Sequence, residues 1–128
     1  MILKIFPRAK FIHTFRNLKD SIISIYQSML PELSWAHSIE NILIYINNYL
    51  KVIQYFKVKY PNSIIDVNLE KFTESSEKIS KEIYKFCNLD WHDTILQFYK
   101  RDDLYTKTLS FNQIRKKVSK YDKNAYQP

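Results

Sequence analysis

Arg16 and Ser24 are the residues whose types and spacing best suit them to hold an anion. Ala9 to Phe15 reads Ala-Lys-Phe-Ile-His-Thr-Phe, a β-rich run bounded by Pro7, and Arg16 follows directly, where a helix must begin. In open parallel sheets, ligands collect beyond the carboxyl ends of strands, and the helix starting there adds backbone N–H groups and partial positive charge. Arginine contributes a planar, permanently charged fork that matches phosphate. Ser24, eight residues on, falls on the polar face of the same helix with Asp20 and Ser28 at four-residue spacing. Arg16 and Ser24 can therefore grip one phosphate. The alternative is that Arg16 pairs with a carboxylate and Ser24 is simply exposed.

Other reactive residue types form no constellation. His13, His37 and His92 show no metal-ligand spacing, and His13 in mid-strand reads as a core or supporting residue rather than a catalytic one. Cys87 lies on an apolar helix face and reads as a small core hydrophobe. Trp35 and Trp91 read as core, and helix-start and surface roles account for Glu70, Asp90 and Asp93. The residues alone thus assign no catalytic group and no metal site.

The elements that must position Arg16 and Ser24 follow from periodicity. Asn17 with Asp20 resembles a capping arrangement, and Ile22, Ile23, Tyr26, Met29 and Leu30 recur at helical spacing until Pro31. Trp35 to Tyr60 carries Ile39, Ile42, Ile46, Tyr49, Ile53, Phe56 and Tyr60 at spacings of three and four. That predicts a long amphipathic helix of about 35 Å, ended by Pro61-Asn62. Ser63 to Leu69 is a second strand, and a third helix runs from an N-cap at Ser75 or Ser76 to about Asn88. Trp91 to Tyr99 completes the pattern as a short helix. Strand, helix, long helix, strand, helix predicts a helix-rich α/β unit with short parallel strands, as one domain over 1–128. From Lys107 onward the chain is polar and basic, with Lys107, Arg115, Lys116, Lys117, Lys120 and Lys123 against Asp122.

Composition narrows the chemistry. The 128 residues contain no glycine, where ordinary usage would supply roughly nine. Phosphate loops, dinucleotide fingerprints, calcium-binding loops and serine-hydrolase elbows all require glycine, so none is present. A hydrophobic content of 45% can build a core, and a formal charge of +7 favours anionic partners. A single cysteine forbids an internal disulfide, and the apolar start breaks at Pro7 before it reaches the length of a signal peptide or membrane span. These features predict a cytoplasmic protein.

Four blocks together resemble a known family. Phe6-Pro7-Arg8-Ala9-Lys10-Phe11-Ile12-His13-Thr14-Phe15-Arg16-Asn17-Leu18-Lys19-Asp20 with Ser24 resembles the central segment of sulfotransferases that use 3′-phosphoadenosine 5′-phosphosulfate. Val67-Asn68-Leu69-Glu70-Lys71-Phe72 resembles the family's Val-x-Tyr-Glu-x-Leu strand end, with Leu69 in place of the tyrosine. Phe86-Cys87-Asn88-Leu89-Asp90-Trp91 resembles Phe-x-Gly-Leu-x-Trp, with Asn88 in place of a glycine, an exchange suited to a left-handed helix end. Thr108 to Lys117 resembles the loop Thr-x-Ser-x-x-Gln-Val-Arg-x-Pro that closes over the cofactor. The resemblance is closest to the tyrosylprotein type and the enzymes fused to tetratricopeptide repeats. It implies a partial P-loop-type sulfotransferase fold in which Arg16 and Ser24 bind the 3′-phosphate and Ser110 and Arg115 contact the nucleotide. Residues 107–128 become a basic loop and tail covering the cofactor.

The blocks correspond to the C-terminal half of such an enzyme. The other half holds the Gly-rich loop for the 5′-phosphosulfate and the general base, so the expectation is a sulfotransferase fragment, inactive alone, serving a hydroxyl-bearing acceptor that is a small molecule, glycan or peptide. No metal is implied. The alternative from another class is a small basic, non-enzymatic module for nucleic acid or an acidic protein, with tail aromatics Tyr105, Phe111, Tyr121 and Tyr126 able to stack. No recognised nucleic-acid motif accompanies them.

Overall fold

The computed structural model describes residues 2–28, 30–101 and 116–122. The architecture is a helix-rich α/β arrangement around a two-stranded parallel sheet. Contacts divide the chain into two compact units, Met1–Asp66 and Val67–Asp122, with the boundary falling inside the second strand.

The first unit opens on a single helical turn, α1 (Ile2–Ile5), followed by β1 (Phe11–Phe15). The strand starts two residues later than Ala9 because the backbone leading into it is still turning, with the Ala9 N–H bonded to the Phe6 carbonyl. Helix α2 spans Leu18–Gln27, and the Asn17 side chain caps it by accepting from the Lys19 N–H at 2.9 Å. It stops at Ser28, three residues before Pro31.

The long helix is shorter than its periodicity suggests. Ser34–His37 forms a 3₁₀ turn, Ser38 is extended at φ −133°, and α3 runs Ile39–Lys59. Ser38 decides the start, because its hydroxyl accepts from the Asn41 N–H and only an extended N-cap can present it there. Trp35 belongs to the turn and stacks on Tyr45, ring centroids 4.0 Å apart. Strand β2 (Ile64–Asn68) then returns beside β1, with the Phe11 N–H donating to the Ser63 carbonyl at 2.7 Å.

Burial in this unit is sparse. Ala36 and Ile42 are fully buried, whereas Ile39, Tyr49 and Phe56 of the expected apolar stripe are exposed. Ile44, Tyr45, Val52, Tyr55 and Val58 of α3 are exposed as well. Two strands and the short α2 offer too little surface to cover a 21-residue helix that is apolar on several sides.

In the second unit Asn68 ends β2 and caps α4 (Leu69–Glu74), accepting from the Lys71 N–H at 2.8 Å. The sequence pattern carried the strand through Leu69 and missed this helix, which the Asn68 cap initiates. Thr73 donates to the Glu70 carbonyl and accepts from the Tyr121 N–H at 3.0 Å. Helix α5 covers Ser76–Cys87 and ends at Asn88, left-handed at φ 56° and ψ 43°. The Leu89 N–H reaches back to the Tyr84 carbonyl and the Asn88 N–H to Lys85, a helix-closing pair that demands this conformation. The last helix is 3₁₀, Asp93–Lys100, broken at Gln97; Trp91 lies before it, under the Lys81 ammonium.

Candidate functional site

Arg16 leaves the sheet immediately after β1 and its side chain folds over the first turn of α2. Its Nε donates to Ser21 Oγ at 3.3 Å and its Nη2 to the Asp20 carbonyl at 3.4 Å. Ser21 Oγ in turn donates to the Asn17 carbonyl at 3.0 Å, so the guanidinium is tied to the helix start through a half-buried network. Ser24 is half-buried one turn beyond Ser21, on the helix face over which Arg16 is drawn. Arg16 thus bonds the first turn of α2 at the carboxyl end of β1, and Ser24 follows one turn further along that helix. Ser28 donates to the Ser24 carbonyl at 2.6 Å, which keeps the Asp20, Ser24, Ser28 spacing helical to the end.

Ser110 and Arg115 lie outside the described residues, as do Lys107, Lys123, Tyr105, Phe111 and Tyr126. Lys116, Lys117 and Lys120 are described and exposed.

A second cluster was only partly legible. His13, in mid-β1, donates from Nδ1 to Asp66 of β2 at 2.6 Å and meets the Tyr49 hydroxyl of α3 through Nε2. Lys57 Nζ reaches the same Asp66 carboxylate at 2.7 Å. An ionised carboxylate only accepts, so Nδ1 carries a proton, and in the neutral imidazole Nε2 accepts from the Tyr49 hydroxyl. Burial by itself would raise the Asp66 carboxyl, but hydrogen bonds and charge from Lys57 and His13 outweigh it and hold the group below its ordinary value. Burial, the Asp66 charge and Tyr45 push the Tyr49 phenol up, so it stays protonated.

Both ring nitrogens of His13 are engaged. Tyr49, Lys57 and Asp66 were missed. One signal was available: His13 and Asp66 are each the third residue of a five-residue strand, and a polar residue at matching places in two apolar strands marks a cross-strand pair.

Of the other histidines, His37 bonds the Leu30 carbonyl at 2.9 Å and His92 is exposed before the last 3₁₀ helix. Among the described residues no group of three metal-ligating side chains assembles, and no helix is long and apolar enough to cross a membrane.

The model of the Sulfotransferase family matches residues 1–93, nearly three-quarters of the chain. The chain belongs to the sulfotransferase family. The match takes in Arg16, Ser24 and the whole His13 cluster and stops short of Ser110 and Arg115. The chain is also 30% identical over 122 residues to an uncharacterized protein of Aquifex aeolicus. That similarity covers 92% of the chain and 16% of the relative, so the chain spans about one-sixth of the curated relative it matches. Arg16 stands between the end of β1 and the Asn17-capped start of α2.

Proposed function

We propose that this chain holds the nucleotide end of 3′-phosphoadenosine 5′-phosphosulfate, with Arg16 and Ser24 on the 3′-phosphate and Ser110 and Arg115 over the nucleotide. The observation that carries this reading is the Arg16 guanidinium, fixed at the end of β1 by Ser21 and the Asp20 carbonyl, with Ser24 one turn along the same face. The residues fit the group: a permanently charged fork, a hydroxyl and a helix N-terminus are complementary to a phosphate dianion.

In the whole enzyme this site anchors the donor. Binding the remote phosphate fixes the sulfuryl group in place, and the acceptor oxygen then displaces the bisphosphate at sulfur. The 5′-phosphosulfate loop comes from elsewhere in the enzyme, as the absence of glycine in these 128 residues requires for a glycine-rich loop. Within the family, the block around Arg16 favours the tyrosylprotein and tetratricopeptide-repeat type, with a peptide, glycan or small-molecule hydroxyl as acceptor.

Titration calorimetry with adenosine 3′,5′-bisphosphate tests the assignment. The chain is expected to bind it more tightly than adenosine 5′-monophosphate, and Arg16→Ala to lose about tenfold or more in affinity, the scale of one charge-assisted contact. Equal binding of both nucleotides, or an unchanged affinity in the folded variant, would remove the phosphate role.

A further inference from the structure

The Tyr49, His13, Asp66 and Lys57 cluster is not accounted for by phosphate binding. Its order is that of an activated nucleophile: a hydroxyl, an imidazole that can take its proton, and a carboxylate that orients the imidazole and stabilises its charged form. Lys57 Nζ lies 2.7 Å from both oxygens of the same Asp66 carboxylate, which also accepts from His13 Nδ1–H at Oδ1. The His13 side chain is 10% exposed and Tyr49 as a residue 37% exposed, so the imidazole is the more sheltered member of the pair.

We infer that Tyr49 is a sulfuryl-accepting residue, with His13 as its general base and Asp66 as the group that positions and supports His13. The inference concerns the acceptor side of the reaction and rests on the family's sulfuryl-transfer chemistry. The Tyr49 oxygen attacks the sulfur of a phosphosulfate donor and forms a new S–O bond. The bond from sulfur to the donor's phosphate oxygen breaks, and that oxygen leaves with the electron pair. The phenolic proton passes to His13 Nε2, and the imidazolium is held by the Asp66 carboxylate. The product is tyrosine O-sulfate on α3, with no change of oxidation state. Burial keeps Tyr49 protonated at rest, so attack waits on the base, as it does for a catalytic serine.

The chain's own tyrosines supply the control. Tyr26 is 43% and Tyr45 50% exposed, both more open than Tyr49, so accessibility alone would make them react first. An aryl sulfonyl fluoride is the probe: it presents an electrophilic sulfur(VI) to phenols and requires no nucleotide site. The full chain, treated at neutral pH and mapped by peptide mass spectrometry, is expected to carry the sulfonyl group on Tyr49 before Tyr26 or Tyr45. His13→Gln is expected to slow Tyr49 labelling by about a hundredfold, the lower end of general-base contributions, and to leave Tyr26 unchanged. Asp66→Asn should slow it in the same direction, which keeps the test open if His13→Gln fails to fold. Labelling of Tyr49 no faster than Tyr26 and Tyr45 in the wild-type chain overturns the inference, as does full labelling in either folded variant. Failure of the nucleotide assignment would appear separately, as absent bisphosphate binding with the tyrosine pattern intact.

Discussion

Asp66 accepts from His13 and Lys57 and is held below the ordinary carboxyl value of 3.8. A group whose folded pKa is depressed stabilises fully above its unfolded value and loses that contribution as pH falls through the folded one. Thermal melts of the wild-type chain should therefore fall in Tm as the pH drops below about 4, and Asp66→Asn should show a flatter acid limb. With the Asp66 side chain 45% exposed, solvent screening keeps the difference below about 1 kcal/mol. Identical acid limbs would mean that the ion pair contributes nothing. At this scale the sequence was legible where a residue's role is local. The placing of Arg16 after β1 and Asn17 as a cap follow from neighbours in the chain. Asp66 meets His13 across 53 residues, and only the pairing of two strands joins them.

The elements were legible in kind and misjudged at their ends. Both strands and helices α2, α3 and α5 sit where hydrophobic spacing puts them, because amphipathic periodicity is a property of a continuous segment. The start of α3 depended on one extended residue, Ser38, whose hydroxyl also donates to Glu40 at 2.6 Å and holds that carboxyl down. Ser38→Ala is expected to cost about 1 kcal/mol in urea unfolding, the usual loss of an N-cap. Asn88 gives a sharper check on backbone. At φ 56° a β-carbon is costly unless the side chain is asparagine, so Asn88→Ala should destabilise by about 1 kcal/mol while Asn88→Gly holds or gains stability. If alanine and glycine behaved alike, the left-handed helix end would be wrong. Helix α4 escaped notice because six residues are too few to display a period and its cap, Asn68, also closes a strand.

On the scale of the molecule, composition promised a larger core than the fold delivers. Among the described residues Ala36, Ile42 and Val67 are the buried hydrophobic side chains, while long apolar residues along α3 remain open to solvent. The first unit also contains a cavity of about 690 Å³ walled by Phe11, Ile53, Phe56 and Ile64, with Lys59 at its side. Apolar surface of this extent, next to a cation, should bind an anionic naphthalene dye. The dye is expected to gain strong, blue-shifted fluorescence with the native chain at neutral pH, and high salt should weaken the effect only in part. No enhancement by a chain with native far-ultraviolet dichroism would show these side chains to be covered in solution. Hydrophobic content states how much apolar surface exists; where it goes depends on how many layers the chain supplies.

Each unit carries one of the two tryptophans, Trp35 in the first and Trp91 in the second. Their surroundings differ: Trp35 lies flat against Tyr45 at an interplanar angle of 6°, and Trp91 has the Lys81 ammonium 4.5 Å from its ring centre. The chain is thus optically double-labelled as it stands. Trp91→Phe leaves an emitter that sees only the first unit, Trp35→Phe one that sees only the second. Denaturation followed through the two single-tryptophan chains would report whether the two units melt as one cooperative block or as two.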